Sequence, residues 1–391
     1  MIPVPNSIAA LAPEITEWRR DLHRHPETNY EEYRTAGVVA DKLKAWGLDA
    51  VETGIGQTGV VGVLHGRSGP GGEAILLRAD MDALPMQEEG DHEHASTIAD
   101  KMHACGHDGH TAMLLGAAKH LADTRNFDGT VYFCFQPAEE GGAGAKAMLE
   151  DGLLDRFPAK AVYGMHNRPG LPLGQFAVRP GPVMASADEF IVTVTGKGGH
   201  AAKPHLSRDP VLAGAHLVTA LQSIVSRRVD PFQPAVLSIC VFQAGTASNV
   251  IPDEAVLKGT IRTFDEGVYA MIRKEAERIC ADAGKAFGVE VSFRINGTPY
   301  PPTVNDPDRT AFVTSVLEEL VGAENLVHDE YPTMGGEDFA FMANARPGAF
   351  INIGNGDSSG LHTTTYDFND EAAPFGVAYW AKLVELALPA S

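Results

Sequence analysis

The stretch from Met102 to His110 concentrates side chains that bind metal ions. Its reactive groups are one thiol, three imidazoles and one carboxylate, at Cys105, His103, His107, His110 and Asp108. Thiolate, imidazole and carboxylate groups bind first-row divalent cations, and the intervening glycines let the backbone curl so that neighbouring ligands face one ion. An isolated buried cysteine or histidine is usually a core residue, but this combination of ligand types favours a metal site. One stretch cannot complete the coordination, so further ligands must come from elsewhere in the chain.

Polar side chains also follow two apolar runs that we predict to be buried strands. Asp80 and Asp82 come after the run 74–78, and His166 comes after the run 161–165. Sites in α/β folds are commonly assembled at the ends of strands, so these three side chains are candidates for the same site. For the two aspartates, a solvated strand end is the alternative interpretation. We expect them to orient the metal ligands rather than to bind the ion.

A pair of adjacent carboxylates, Glu139 and Glu140, follows a third apolar run at 129–135. Adjacent carboxylates usually mark a solvated surface, but a position between a predicted buried strand and a glycine-rich helix start favours a functional role. One carboxylate of such a pair can bind a cation while its neighbour moves protons, first as general base and then as general acid. The glycines that follow and Lys146 lack the spacing of a phosphate-binding loop, which argues against a nucleotide site of that type.

The composition is that of an acidic globular protein. The chain has 391 residues, of which 44% are hydrophobic and 21% charged, so it can bury a large core and we predict two domains. Its 31 basic and 51 acidic residues give a formal net charge of -20, which disfavours nucleic acid and anionic membranes as partners. The sequence has no secretory leader pattern and no apolar run long enough to span a bilayer, so we expect a cytoplasmic protein. Four cysteines in so long a chain do not indicate a disulfide framework.

The elements that must position these groups alternate between helix and strand. The spacing of apolar residues predicts helices at 14–25 and 35–46. From 60 to 166, short apolar strands alternate with helices, which predicts an α/β fold with helices on both faces of a sheet and the polar groups along one edge. The runs 59–64 and 74–78 flank a turn-rich linker, so we predict that they form a hairpin.

From Ala187 the pattern changes to half-exposed strands in a β-α-β-β-α-β order. This order is typical of a ferredoxin-like α+β domain. It predicts that residues 187–303 are inserted into a larger domain made of residues 1–186 and 304–391. Within the insertion, His200 lies in a glycine-rich loop after a strand, where an isolated histidine is more often solvated than catalytic.

Six separated motifs carry a resemblance to a known family. They are Cys105-Gly106-His107-Asp108-Gly109-His110, the pair Glu139-Glu140 after Gln136-Pro137, Gly164-Met165-His166-Asn167, Gly198-Gly199-His200-Ala201-Ala202, Gly335-Gly336-Glu337-Asp338-Phe339 and Leu361-His362. In these motifs the chain resembles the hippurate hydrolase and N-acyl-amino-acid amidohydrolase branch of the di-metal aminoacylase/carboxypeptidase family, which also includes plant auxin-conjugate hydrolases. The resemblance runs nearly end to end. It implies a helix-sheet-helix di-metal hydrolase domain whose inserted domain serves as a lid or in dimerisation.

By this resemblance, five side chains would hold two divalent ions per subunit: Cys105, His107, Glu140, His166 and His362. Glu139 would be the proton shuttle, and His200 would reach the active site from the inserted domain. Five ligands are too few for two separate closed sites, but they suit a pair of ions that share a bridging thiolate and a bridging water. Four further side chains would orient His107 and the bridging ligand: His103, His110, Asp80 and Asp82.

The chain departs from part of the family at two positions. Aminoacylase and dipeptidase members have a ligating histidine where this chain has Asp80, and an aspartate bridge where this chain has Cys105. A thiolate makes the site softer, which leaves manganese, zinc, nickel and cobalt as alternatives, with manganese or zinc preferred.

The resemblance further implies hydrolysis of the amide bond of N-acyl amino acids, hippurate-like or N-acetylated, by a homo-oligomer that is a dimer or a tetramer. Because the amino-acid product carries a carboxylate, Asn249, Arg262 and Gly335 are candidates for substrate binding, and plain surface roles are the alternative for the first two. A dipeptidase or metallocarboxypeptidase stays open, because pocket shape sets the acyl preference. A non-catalytic metal-binding or ligand-binding module is disfavoured, because such a protein does not need Glu139.

Overall fold

The computed structural model describes residues 4–328 and 332–391. The described residues contain ten α-helices: α1 (Asn6–Arg24), α2 (Tyr33–Ala45), α3 (His107–Thr124), α4 (Gly144–Glu150), α5 (Leu153–Arg156), α6 (Pro210–Arg227), α7 (Glu266–Phe287), α8 (Pro307–Val321), α9 (Phe339–Ala345) and α10 (Ala373–Ala387). The first eight strands are β1 (Ala50–Ile55), β2 (Gly59–His65), β3 (Ala74–Asp80), β4 (Thr130–Gln136), β5 (Ala161–Arg168), β6 (Phe176–Ala177), β7 (Gly181–Met184) and β8 (Ala187–Thr195). The others are β9 (Gly199–His200), β10 (Ala235–Ala244), β11 (Val250–Ile251), β12 (Glu254–Thr263), β13 (Glu290–Tyr300), β14 (Thr303–Asn305), β15 (Leu326–Val327) and β16 (Gly348–Gly354).

The chain divides into two compact units, and each has its own hydrophobic core. The first unit comprises Met1–Val183, Val304–Tyr331 and Asp338–Ser391, and the second comprises Met184–Thr303 and Pro332–Glu337. The short segment Pro332–Glu337 therefore joins the second unit although it lies far along the chain from the predicted insertion. Among the described residues, no helix has the length and apolar character needed to cross a lipid bilayer.

The first unit is built on an eight-stranded mixed sheet in the order β1-β2-β4-β3-β5-β16-β6-β15. Its central strands β3, β4 and β5 pair in parallel and are buried along nearly their whole length. Burial on both faces explains why these strands read as continuous apolar runs rather than as alternating ones. Among the helices of this unit, α1 and α10 pack against α3, and α1 buries Ile8, Ile15, Trp18 and Leu22 along one side. The predicted α/β class is confirmed.

The predicted hairpin is wrong. β2 pairs antiparallel with β4, and β4 pairs in parallel with β3, so β4 lies between the two strands that we expected to be neighbours. The turn-rich linker only has to cross one intervening strand, which spans about 10 Å at the usual inter-strand spacing. A linker of that length does not discriminate a hairpin from such a crossing.

The parallel pairing brings the carboxyl ends of β3, β4 and β5 to one edge of the sheet. Asp80, the last residue of β3, lies opposite Gln136, the last residue of β4. On the other side of β5, His166 lies opposite Asn352 of β16. The polar residues that end these strands are therefore neighbours across the sheet, which is where the candidate site forms.

The second unit contains a four-stranded antiparallel sheet in the order β10-β12-β8-β13. Its elements follow one another as strand, helix, strand, strand, helix and strand, with α6 and α7 packed on the sheet. Alternate residues of β12 are buried, as expected for a sheet covered on one face. This is the ferredoxin-like order that the sequence predicts. The role of this unit as a lid or in dimerisation stays a prediction.

Candidate metal centre

The metal-binding stretch lies where the chain turns from a long loop into α3. His107 is the first residue of α3, and Gly106 before it has a φ angle of 86°. A Cβ atom at position 106 would lie 2.3 Å from Asn167 Nδ2, so both the backbone angle and the close approach require glycine. The turn brings Cys105 to β5, where Cys105 Sγ lies 3.4 Å from His166 Nε2.

The five side chains predicted as ligands are neighbours in the first unit. Cys105, His107 and His166 present ligand atoms within 4.8 Å of one another, and so do Cys105, Glu140 and His362. His362 Nε2 lies 3.2 Å from Glu140 Oε1. Cys105 belongs to both groups, and a thiol shared between two groups is the arrangement expected of a bridging ligand.

His362 is held in this position by an uncommon backbone conformation. Its φ angle is 59°, and its N–H donates to the carbonyl of Ala104 at 2.8 Å. A left-handed conformation at a residue other than glycine costs of order 1–3 kcal/mol and persists only where the surrounding structure fixes it. The conformation directs a largely exposed imidazole to the partly buried carboxylate of Glu140.

Asp82 orients two of the predicted ligands. His107 Nδ1 lies 2.9 Å from the Asp82 carbonyl oxygen and 3.2 Å from Asp82 Oδ1, and Asp82 Oδ2 accepts from the N–H of Glu140 at 2.9 Å. The other ring nitrogen of His107, Nε2, is buried and has no hydrogen-bond partner among the described residues. A ligating histidine typically donates one N–H to a carboxylate or carbonyl and keeps its second nitrogen for the ion. The residues present therefore fit a metal ion.

Asp80, His107 and His110 also present ligand atoms within 4.8 Å of one another, but hydrogen bonds already engage Asp80 and His110. His110 Nδ1 bonds to Asp80 Oδ1 at 2.6 Å, and His110 Nε2 accepts from the N–H of Asn167 at 2.9 Å. The second carboxylate oxygen of Asp80 accepts from Arg78 Nη1 at 2.7 Å. His103 is buried, and neither of its ring nitrogens has a hydrogen-bond partner among the described residues, so it orients no predicted ligand through a hydrogen bond.

The electrostatics of the cluster suit a cation. Burial and the Glu140 charge raise the pKa of the Cys105 thiol, so a nearby cation is needed to hold the thiolate. Burial, together with the charge on His110, holds the pKa of His166 well below its usual value, which keeps that imidazole in the neutral form that binds metal. Burial lowers the pKa of His107, but the charges of Asp80 and Cys105 raise it by more. A metal ion at that ring would take the place of the proton.

A buried network that the sequence did not predict supports Glu139. Asp338 Oδ1 accepts from Arg78 Nη2 at 3.0 Å and from Gln136 Nε2 at 2.7 Å, while its Oδ2 accepts from the N–H of Ala145 at 2.9 Å. The N–H of Asp338 donates to Glu139 Oε1 at 3.4 Å. The network ties the ends of β3 and β4 to the starts of α4 and α9. Arg78, a charged residue inside an otherwise apolar run, was one sequence signal of the network, and the motifs that contain Gln136 and Asp338 were another.

Asn167 and Tyr366 form a second unpredicted support. Asn167 Nδ2 donates to the carbonyl of Cys105 at 2.7 Å, and the hydroxyl of Tyr366 donates to Asn167 Oδ1 at 2.6 Å. Both side chains are buried. Asn167 thus fixes the backbone of one predicted ligand while following another, His166, in β5. Its place directly after His166 was the available signal.

His200 and Asn249 lie together on an exposed ribbon of the second unit. His200 in β9 pairs with Val250 in β11, and the N–H of Ala201 donates to the carbonyl of Asn249 at 3.0 Å. Both side chains are exposed. Their approach to the residues of the first unit stays a prediction.

Arg262 and Gly335 are the other second-unit residues predicted to bind substrate. Arg262 Nη1 donates to the carbonyls of Asp188 and Ile261, each at 3.3 Å, so part of its guanidinium serves the local backbone. The N–H of Gly335 donates to Thr333 Oγ1 at 3.2 Å. These contacts describe the surroundings of the two residues within the second unit and leave their substrate role a prediction.

Two known enzymes are similar to this chain over almost its whole length. A hippurate hydrolase of Campylobacter jejuni is 42% identical over 376 residues, which cover 96% of this chain and 97% of that protein. An N-acetylcysteine deacetylase of Bacillus subtilis is 38% identical over 371 residues, covering 95% of this chain and 96% of that protein. The resemblance inferred from the motifs is confirmed.

A solved structure from Bacillus subtilis, described as a dinuclear metal binding peptidase from the M20 family, matches with a TM-score of 0.83 and 34% identity. The match covers 97% of this chain and 99% of that chain. The sequence model of peptidase family M20/M25/M40 also matches residues 76–386, which include every side chain of the two ligand groups. From this match, and from relatives aligned nearly end to end, it follows that the chain belongs to peptidase family M20/M25/M40.

Proposed function

We propose that this chain is a metal-dependent amidohydrolase that cleaves the amide bond of N-acyl amino acids, hippurate-like or N-acetylated. The products are a carboxylic acid and a free amino acid. The observation that carries the proposal is the position of Glu139, a buried carboxylate grouped with His107 and Glu140 and adjacent to the two ligand groups that share Cys105. The named activities of the two similar enzymes support the same reaction class.

Two divalent ions per subunit, manganese or zinc and alternatively nickel or cobalt, would be held by the two ligand groups: Cys105, His107, Glu140, His166 and His362. Bound ions would supply Lewis acidity, which lowers the pKa of water so that it can lose a proton and attack at neutral pH, and which polarises the acyl carbonyl. The dinuclear description of the similar Bacillus structure supports this count. The ligand set accounts for a buried His107 nitrogen that, among the described residues, has no hydrogen bond, and for a shared buried thiol.

The side chains of the protein move the proton. Glu139 would accept a proton from the attacking water as the new C–O bond forms, and would return it to the amino nitrogen as the C–N bond breaks. The Asp338 N–H, 3.4 Å from Glu139 Oε1, holds the carboxylate in place for both transfers. Asp82 keeps His107 and the Glu140 backbone fixed while Glu139 changes its protonation state.

The second unit would complete the site as a lid. His200 would donate to the oxygen on which negative charge develops, and the amide of Asn249 on the same ribbon would bind the substrate carboxylate. Arg262 and Gly335 are further candidates for substrate binding. A homo-oligomer, dimer or tetramer, leaves two routes for His200, either over its own chain or across a subunit interface. The expected location of the protein is the cytoplasm.

One assay separates the proposed activity from its alternatives. Metal-reconstituted protein is incubated with hippurate, a panel of N-acetyl amino acids and a panel of dipeptides, and the released amino group is quantified. The proposal expects the highest kcat/KM on an N-acyl amino acid. A preference for dipeptides would instead assign a peptidase, and no hydrolysis of any substrate by folded, metal-loaded protein would favour a binding module.

A further inference from the structure

A second group of histidines and carboxylates lies in the first unit, and its side chains are separate from the ligand groups of the candidate metal centre. It consists of His23 at the end of α1, Glu88, His92 and His94 in the loop between β3 and α3, and Asp367 before α10. We refer to these five residues as the histidine cluster. The His92 and His94 rings stack with their centroids 4.3 Å apart, and the His23 ring lies 5.4 Å from His92 and 5.5 Å from His94.

The donor atoms of the histidine cluster converge on one region. His23, His92 and Asp367 each offer one ligand atom, and these atoms lie within 4.8 Å of one another. Glu88 Oε1 is a fourth candidate ligand atom, because it lies 2.7 Å from His92 Nε2 and 3.2 Å from His23 Nε2. Imidazole nitrogens combined with carboxylate oxygens suit zinc and its first-row neighbours rather than calcium or magnesium.

The cluster is rigid on one side and reachable on the other. His23 is fully buried, and its Nδ1 lies 2.8 Å from Asp108 Oδ2, a contact that orients the ring and leaves Nε2 facing Glu88. Carboxylates that orient a ligating histidine in this way are the usual support of a metal site. The His92 side chain is 21% exposed and the Asp367 side chain 33% exposed, so an ion can enter from solvent.

The local charges also favour a dication. Four carboxylates, those of Glu88, Asp108, Asp367 and Asp370, contact the histidines or the two guanidinium groups of Arg19 and Arg20. With the imidazoles neutral, as metal binding requires, these four carboxylates and two guanidinium groups leave two negative charges in a partly buried volume, which favours a bound cation. Arg19 compensates part of this negative charge, because its Nη1 lies 2.8 Å from Asp367 Oδ1. The other oxygen of Asp367, Oδ2, lies 3.0 Å from His94 Nε2.

We propose that the histidine cluster is a separate binding site for a divalent transition-metal ion of the zinc class, with His23, His92, Glu88 and Asp367 as its ligands. Tetrahedral ligands about 2.0–2.1 Å from zinc lie about 3.3 Å apart. Binding therefore opens the 2.7 Å contact between Glu88 Oε1 and His92 Nε2, while the donor atoms of His23, His92 and Asp367, which lie within 4.8 Å of one another, adjust to that separation. The ion joins α1, the loop after β3 and the segment before α10. Its role is to stabilise the loop that carries the candidate metal centre, and it takes no part in the hydrolytic step.

Metal counting tests the proposal. Chelator-treated wild-type protein, His92→Phe and Asp367→Asn are dialysed against Zn²⁺, and bound zinc per chain is measured by mass spectrometry. The phenylalanine keeps a ring that stacks on His94 but has no nitrogen ligand. His65→Phe is the matched control, because His65 is a partly buried histidine outside both metal groups that bonds to Thr130.

The expected result is that His92→Phe and Asp367→Asn each bind one zinc ion fewer per chain than wild type, while His65→Phe binds the wild-type number. Zinc should also raise the unfolding temperature of wild type by more than that of His92→Phe, since an ion that binds only the folded state stabilises it. Hydrolysis by His92→Phe with saturating metal should stay within about twofold of wild type. The count is made without substrate, so it is read independently of the proposed function.

Three outcomes overturn the proposal. The first is an equal zinc count in wild type and His92→Phe. The second is an equal loss in His65→Phe, which would show unspecific binding to surface histidines. The third is a loss of zinc that removes hydrolysis in proportion, because the missing ion would then belong to the candidate metal centre. Circular dichroism establishes that each variant is folded, and Asp367→Asn, on a different segment, keeps the test decisive if His92→Phe is not.

Discussion

Replacing Glu139 with glutamine separates proton transfer from metal binding. Glutamine keeps the shape of glutamate and one carbonyl oxygen, which can still accept from the Asp338 N–H at 3.4 Å. It cannot take up a proton at neutral pH. General acid and base catalysis contributes about 10²- to 10⁴-fold, so turnover should fall by at least about a hundredfold. At about 1.36 kcal/mol for each factor of ten, the activation barrier should rise by at least about 2.7 kcal/mol.

The structure predicts how this loss divides between binding and chemistry. None of the five proposed ligands changes, and Asp82 still holds both His107 and the Glu140 backbone. The lost negative charge weakens the attraction for cations, because Glu139 is grouped with His107 and Glu140, so the assay must use saturating metal. Under that condition kcat and kcat/KM should fall together, the pattern of an interaction made only in the transition state.

Glu140→Gln is the matched control, since it makes the same chemical change one residue away. It removes a proposed ligand, so bound metal per chain should fall, whereas Glu139→Gln should keep the wild-type content. Turnover is measured from amino-acid release at several substrate concentrations, and metal is counted on the same samples. Near-normal turnover by metal-loaded Glu139→Gln would refute the assignment of Glu139 as proton shuttle. Loss of metal from Glu139→Gln at saturating concentration would make it a ligand instead.

Four further predictions follow from the same geometry. Chelation should abolish hydrolysis and a divalent cation should restore it, while Cys105→Ala should lose at least one ion per chain; two ions bound with unchanged affinity would contradict the shared thiolate. His200→Ala should lower turnover about a hundredfold or more at unchanged metal content, and mixing it with a Glu139→Gln protein under subunit exchange should restore part of the activity only if His200 acts across an interface. In metal-free protein, burial lowers the pKa of His23 but Asp108 and Glu88 raise it to about 9, so this histidine should contribute up to about 3 kcal/mol of stability below pH 6.5 that is lost as the pH rises to about 9. Urea unfolding across that range should show the loss in wild type and a flatter profile in His23→Gln. Arg78→Met should destabilise the fold by about 3–5 kcal/mol, because it removes the buried cation that compensates the carboxylates of Asp80 and Asp338, and equal urea midpoints would argue that those carboxylates are protonated.

The parts of the fold that the sequence predicts well are those with a periodic apolar pattern. The central strands and α2 lie close to where the pattern places them, because burial of one stripe or of a whole run is a local property. α1 is the exception, since it begins at Asn6 and continues through Pro13 rather than beginning at Glu14. Proline removes one backbone hydrogen bond from the helix, but Ile8 is fully buried against the core and anchors the first turns.

The failed hairpin prediction has a different cause. Adjacent strands with a turn-rich linker pair in most small sheets, but here β4 fits between β2 and β3. β4 is fully buried, and it gains a partner on each side by taking the central position. The order of strands is a property of the whole sheet and of the helices that cover it, so the linker alone does not carry it.

Candidate ligands and supporting residues differ in how far the sequence reveals them. A ligand can be predicted from its residue type, as for the thiol and the imidazoles between Met102 and His110. The support of a ligand is an ordinary polar residue whose partner depends on register and tertiary closure. Asp338 is such a case, because it meets Arg78 and Gln136 only once β3, β4 and the start of α9 are assembled.

The difference between ligands and supporting residues follows from the electrostatics of a buried site that is rich in carboxylates. Burying several carboxylates and a thiol at one edge of a sheet costs free energy of folding unless cations compensate their charge. Before any metal binds, the protein must supply those cations itself. Arg78 does so on one side through Asp80 and Asp338, and Arg19 does so on the other through Asp108. Each guanidinium is almost fully buried and contacts carboxylates. The two arginines therefore compensate buried carboxylates next to the candidate metal centre while contacting none of its proposed ligands in the hydrogen bonds and ion pairs described above.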